Sequence, residues 1–131
     1  MLGNFQQSQL RIELEAKQST IRDSLINTKQ LEQWIWPQTL SANLPETLSA
    51  GLKFTSKLAF LEIEYLVKVA DDNCLRLILS NGIDGYQEWC WGDGWMQSRL
   101  EGITLLPLEL GQTYNLMRLR QHIEMRQNNK E

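Results

Sequence analysis

Polar and apolar positions alternate with a period of two through most of this chain, and the period changes in only two places. Leu10, Ile12, Leu14 and Ala16 take turns with Arg11, Glu13, Glu15 and Lys17, which predicts a half-buried strand with one wet face. Residues 1–8 have no such period and are expected to be a loose lead-in. After Gln18 the spacing becomes helical. Ile21, Leu25 and Ile26 give a short helix its apolar stripe, with Ser19 or Thr20 as its cap and Asp23 at the capping-box distance from Thr20. Asn27-Thr28 then reads as a stop and a second cap. Leu31, Trp34 and Ile35 make a second short helix, ended by Pro37, which disfavours α conformation at Trp36.

From Gln38 the period of two returns. Residues 38–44 predict a weak strand, and Pro45-Glu46 and Gly51 mark turns. Leu52, Phe54, Ser56 and Leu58 alternate with Lys53, Thr55 and Lys57; Leu61, Ile63, Tyr65, Val67 and Val69 form the next stripe. Asp71-Asp72-Asn73 is a turn cluster, followed by the stripe Leu75, Leu77 and Leu79, closed by Asn81-Gly82. Pro107 ends the sheet region. A long helix over residues 110–126 follows, with Leu110, Tyr114, Met117 and Gln121 on one stripe and Leu116, Leu119 and Ile123 on another. Two apolar stripes predict a helix covered on more than one side. Residues 127–131 form a polar tail.

The densest pattern lies over residues 86–100, where three of the five tryptophans fall. Asp93-Gly94 suits a type I′ turn, which needs φ > 0 at both central positions. Closing a hairpin there sets Gly92 opposite Trp95, Trp91 opposite Met96, Cys90 opposite Gln97, Trp89 opposite Ser98 and Glu88 opposite Arg99. Trp89, Trp91, Met96, Ser98 and Leu100 then share one face. Glu88, Cys90, Gln97 and Arg99 share the other, with Glu88 and Arg99 as an opposite-charge pair.

Composition narrows the class of protein. At 131 residues the chain has the size of one domain, and its 42% hydrophobic and 22% charged content is ordinary for a globular protein. The net charge of −3 and the scattered basic residues argue against a nucleic-acid partner. No apolar run is long enough for a membrane span, and no charged segment followed by an apolar one stands at Met1, so a cytoplasmic location is expected. Cys74 and Cys90 fall in separate strands; a disulfide between them is conceivable but nothing in the sequence supports it, and reduced thiols are the default expectation.

Candidate chemistry is sparse. His122, the one histidine, falls between the two helix stripes beside Arg118, Arg120 and Gln121, and reads as a solvated surface residue. One histidine and two distant cysteines do not supply the grouped ligands of a zinc site, so neither a metal nor a cofactor is expected. Glu13, Glu15, Glu62, Glu64 and Glu88 all fall on outer faces. Gly82, Gly85, Gly92 and Gly94 sit at turns rather than before a helix, which excludes a phosphate loop. No catalytic residue is assigned.

The order strand, two short helices, several antiparallel strands and a long C-terminal helix resembles the helix-grip superfamily of START-like proteins. That superfamily includes the birch pollen allergen, polyketide cyclases and dehydratases, and activators of the heat-shock ATPase. The likeness spans residues 9–126, taken as one domain. It rests on the helix pair over residues 19–37, on Leu44-Pro45 and Leu48-x-x-Gly51-x-x-Phe54 after it, and on the length and place of the last helix. The most similar members are small uncharacterised bacterial proteins.

The resemblance implies an α+β fold, with a curved antiparallel sheet gripping the C-terminal helix. Between them it implies an apolar cavity for a lipid-, sterol- or polyketide-like molecule. No residue set here matches a cyclase acid–base pair. The inner hairpin face (Trp89, Trp91, Met96, Ser98, Leu100) is the first candidate wall, with Ser98 as a polar anchor; the alternative is plain core packing. Tyr65 on its strand stripe and Tyr114 and Met117 on the helix, as a roof, come next. Trp34 and Trp36 would stand at the mouth or lock the helix pair onto the sheet. The expectation is a binding module for a small hydrophobic ligand. The alternatives are a cyclase- or dehydratase-like enzyme, which needs a buried titratable group in the cavity, and a protein-interaction module, which predicts a small or filled cavity and an exposed apolar patch.

Overall fold

A computed structural model describes residues 3–59 and 61–129. Alternation produces a seven-stranded antiparallel sheet, and the two helical stretches pack on its inner face. The strands are β1 (Asn4–Glu13), β2 (Thr39–Leu40), β3 (Lys53–Leu58), β4 (Leu61–Ala70), β5 (Cys74–Asn81), β6 (Asp84–Gly92) and β7 (Trp95–Thr104). The helices are α1 (Gln18–Ile26), α2 (Thr28–Trp34) and α3 (Leu108–Asn129). Strands β2 to β7 form a meander, and β1 joins its far edge beside β7. Between Val67 and Val69 the β4–β5 register slips by one residue, an irregularity of the kind that bends a strand and helps a sheet curve. The result is a helix-grip fold: a curved sheet around a long C-terminal helix, with two short helices after the first strand.

The tryptophan hairpin has the expected register, from Gly92 opposite Trp95 to Glu88 opposite Arg99. Its turn differs. Gly94 has φ +82° but Asp93 is not in the left-handed region, so the turn is not type I′. The side chain of Asp93 is engaged elsewhere, accepting from Gln18 N–H at 2.7 Å. The Glu88–Arg99 pairing is also redirected. Glu88 accepts from Arg76 Nε at 2.8 Å on β5, while Arg99 lies over the ring of Tyr86 and 4.0 Å from Glu101.

Four boundaries depart from expectation. The lead-in is a strand from Asn4 onward, because Gln6 and Ser8 are paired in the β7 ladder and also tie down α3 through Leu108 N–H and Gln112; Met1 and Leu2 lie outside the described residues. Ser19 and Thr20 sit inside α1, whose N-cap, Lys17, makes no side-chain cap. Asn27 does cap α2, accepting from Gln30 N–H at 3.1 Å. Residues 38–44 yield only the two-residue β2. The expected polar tail is helical as far as Asn129, and Lys130 and Glu131 lie outside the described residues.

Helix α3 is covered on one side, not two. Leu108, Gln112, Leu116, Leu119 and Ile123 make the buried stripe, while Leu110, Tyr114 and Met117 are 69%, 42% and 58% exposed. Arg118 reaches the carbonyls of Gln33 and Trp34 at the C-terminus of α2, at 3.4 Å each, where a cation suits the helix dipole.

A candidate ligand cavity

Apolar side chains from the helix pair and from β3 to β6 converge on one internal cavity of about 40 Å³. Trp34 and Trp89 meet edge to face across it, with ring centroids 6.0 Å apart and planes at 74°. Phe54 and Tyr65 stack beside them at 4.7 Å. Leu25, Leu31, Leu75 and Leu77 complete much of the apolar lining. Each is inward because strand alternation or the stripe of a short helix puts it there.

The polar groups are few and clustered. Ser56 Oγ lies 3.0 Å from both Tyr65 Oη and Gln38 Oε1, and Tyr65 Oη is 3.4 Å from the same Gln38 oxygen. Two hydroxyl protons serve this triangle, with Ser56 donating to Gln38 and Tyr65 to Ser56. Burial pushes the Tyr65 phenol above its ordinary value, partly offset by the Ser56 hydrogen bond, so Tyr65 is a neutral donor at physiological pH. Gln87 and Asn115 place two further amides on the lining. Trp34 has no polar capacity left for a ligand, because its Nε1–H donates to Ser24 O at 2.8 Å.

Of the residues expected at the site, Trp34, Tyr65 and Trp89 line the cavity. Trp91, Met96 and Leu100 face inward but belong to the packed core outside it. Ser98 is also buried outside the cavity, where Gln112 Nε2 donates to its carbonyl at 2.9 Å and its hydroxyl at 3.0 Å. It therefore anchors the helix to the sheet. Tyr114 and Met117, expected as a roof, stand on the solvent side of α3, and Trp36 is 61% exposed. Gln87, Gln38 and Asn115 on the lining, and Ser56 behind it as the partner of Tyr65 and Gln38, were not anticipated. Ser56 and Gln87 carried a usable signal, since each is a polar residue at an inward position of an otherwise apolar stripe.

His122 is not simply solvated. It is half-buried, and its Nε2 has no hydrogen-bond partner among the described residues. Burial first, then Arg126 and Arg118, hold it below the usual histidine value, so it is neutral. It does not line the cavity.

Solved structures match this architecture over most of the chain. A structure of protein CV1439 from Chromobacterium violaceum superposes with a TM-score of 0.71 at 16% identity, covering 90% of this chain and 96% of that one. The likeness is one of fold. DynU16, a protein of the dynemicin biosynthetic locus, superposes with a TM-score of 0.67 at 14% identity over 90% of this chain. The chain spans about half of DynU16, 47% of its length. CalU16 from Micromonospora echinospora has a TM-score of 0.65 at 14% identity, covering 92% of this chain and 79% of that one. No family model matches the chain, and no curated protein matches it.

Proposed function

We propose that this is a START-like binding protein of the cytoplasm. Its ligand would be a small, mostly apolar molecule, lipid-, sterol- or polyketide-like, with one hydrogen-bond acceptor. The observation that carries this reading is the Tyr65–Ser56–Gln38 triangle set in a wall of tryptophan, phenylalanine and leucine. Ligand sites typically combine a large apolar wall with a few convergent polar groups. A neutral phenol suits a ligand carbonyl or hydroxyl: on binding, the Tyr65 O–H would turn from Ser56 to the ligand acceptor, donating without requiring a charge to be buried. DynU16 belongs to a biosynthetic locus, which favours a natural-product-like ligand.

The resting cavity of about 40 Å³ has room for roughly one water. Drug-sized ligands need about 300–1,000 Å³. Binding is therefore coupled to opening. The wall that gives way is the segment after α2, where Ile35 and Gln38 line the cavity and, the Gln38–Ser56 bond aside, the chain is tied to β3 only by the two-residue edge strand β2 and by Ser41, which bonds Thr55, among the described residues. Among the described residues Tyr65 is the one titratable side chain on the lining, and its neutral form favours binding over proton transfer.

Native mass spectrometry of the protein as purified, then after incubation with fatty acids, sterols and aromatic polyketides, tests this reading. A one-to-one complex that Tyr65→Phe weakens supports it. An unchanged mass with every compound overturns it. The second reading is a protein-interaction module. It is favoured by the nearly filled cavity and by the exposed apolar side chains Leu110, Met117 and Met125 on α3. That reading predicts a clean apo mass and a partner lost on Met117→Glu.

A further inference from the structure

We propose that Cys74 and Cys90 form a modification site, an intramolecular disulfide that closes across β5 and β6 when a small-molecule disulfide oxidises the two thiols. The two cysteines are direct partners in the β5–β6 ladder. Trp91 N–H donates to Asn73 O at 3.0 Å, and this bond flanks the cysteine pair rather than joining it. Cys74 and Cys90 therefore occupy a non-hydrogen-bonded position of the antiparallel ladder. Facing Cα atoms at such positions are about 4.5 Å apart, within the range of roughly 4.4–6.8 Å that a disulfide spans. A bridge here needs rotation of side chains and little movement of backbone.

The surroundings hold the pair in place. Asp71 Oδ1 accepts from Cys74 N–H at 2.7 Å and Asn73 N–H at 2.9 Å, and the Asn73 amide donates to Trp91 O at 3.1 Å. The Sγ atoms are 3.0 Å apart. Both cysteines are half-buried on the outer face of the sheet, opposite in direction to the buried neighbours Leu75 and Trp89. Thiols that merely fill a core lie inside it. This pair lies outside the core, where a reagent reaches it.

The chemistry balances as a pair of exchanges. One cysteine thiolate attacks a sulfur of the reagent disulfide, forming a mixed disulfide and releasing one reagent thiolate. The second cysteine thiolate then attacks the protein-side sulfur and expels the other half. One S–S bond breaks and one forms, two electrons pass to the reagent, and the two thiol protons end on the leaving thiolates. Burial and contact with Cys74 push the Cys90 thiol up to about 12, so bridge formation speeds up as pH rises towards that value. Leu75 and Trp89 line the cavity and each adjoins one cysteine, so the bridge would also lock two strands of the cavity wall.

The test equilibrates the reduced full-length chain with glutathione mixtures of increasing oxidised fraction. Acid quenching and alkylation under denaturing conditions follow, and intact masses are read without reductant. The expected product is a monomer lighter by two hydrogens and carrying no alkyl group, with Cys74 and Cys90 in one cross-linked peptide that dithiothreitol resolves. The folded chain should close at a glutathione ratio at least about tenfold more reducing than the urea-unfolded chain, because the ladder presents the thiols to each other. Cys74→Ser and Cys90→Ser should stop at a glutathione adduct. Two alkylated cysteines throughout the series, adducts or dimers in place of the internal bridge, or equal midpoints with and without urea would overturn the proposal. The wild-type measurement decides the matter even if a serine variant does not fold.

Discussion

Two titratable side chains, buried Tyr65 and half-buried His122, behave differently because the first has hydrogen-bond partners and Nε2 of the second has none among the described residues. Tyr65 shares its hydrogen bonds with Ser56 and Gln38. Replacing it with Phe should leave the fold intact and weaken ligand binding about tenfold, the value of one hydrogen bond, measured by titration calorimetry. His122 has no partner for Nε2 among the described residues, and burial, Arg126 and Arg118 disfavour its charged form. Its folded pKa is depressed, so below the unfolded value of about 6.5 the unfolded chain binds more protons than the folded one. Stability should fall as pH drops from about 6.5 through the lowered folded value. His122→Gln should flatten that slope in urea melts taken between those limits. The same loss of stability in His122→Gln would show that other groups govern the slope.

At the scale of elements, the first strand is a clasp. Gln6 Nε2 donates to Leu106 O at 2.8 Å and Thr104 O at 3.2 Å, and its Oε1 accepts from Leu108 N–H at 3.2 Å. One side chain thus holds the end of β7 and the start of α3 together. Gln6→Ala should cost about 1–3 kcal/mol in chemical denaturation. Removing residues 1–8 should cost more, since it also deletes half of β1 and the Ser8–Gln112 bond. Neither effect is legible from the sequence, because Gln6 and Ser8 are polar residues whose bonds are long-range. The hairpin register was legible because Asp93-Gly94 and strict alternation fix it locally, without help from the rest of the fold. Helix α3 misled for the opposite reason. Its buried stripe contains Gln112, while Leu110, Met117 and Met125 face solvent, so its polarity runs partly against its burial. A pattern weighs residue types, and Gln112 is inside for its hydrogen bonds to four atoms: Ser8 Oγ, Ser8 O, Ser98 O and Ser98 Oγ.

For the whole molecule, the cavity is a place where core packing leaves a void of about 40 Å³. Trp89→Ala should destabilise by about 3–5 kcal/mol, because it removes the ring that meets Trp34 and leaves a void that the sheet cannot close. Hydrogen exchange in the wild-type protein should be faster over residues 35–41 than in β4 to β7, since β2 is a short edge strand, and a bound ligand should slow it. Equal protection with and without ligand would place the opening elsewhere. The fold as a whole was legible in the order of elements. The cavity was legible only in part, because Trp34, Tyr65 and Trp89 lie on readable stripes while Gln38 and Asn115 arrive from a loop and from a helix face that sequence periodicity assigns to no stripe.

The ladder between β1 and β7 joins Asn4 to Thr104, about 100 residues further along the chain. During synthesis, at roughly 5–20 residues per second, the first strand is made several seconds before its partner exists. Leu10 and Ile12 must wait through that interval with no sheet to cover them. Pairings of such long range also fold slowly. The nascent chain is therefore at its most aggregation-prone until β7 leaves the ribosome, and the last strand to appear is the one that rescues the first.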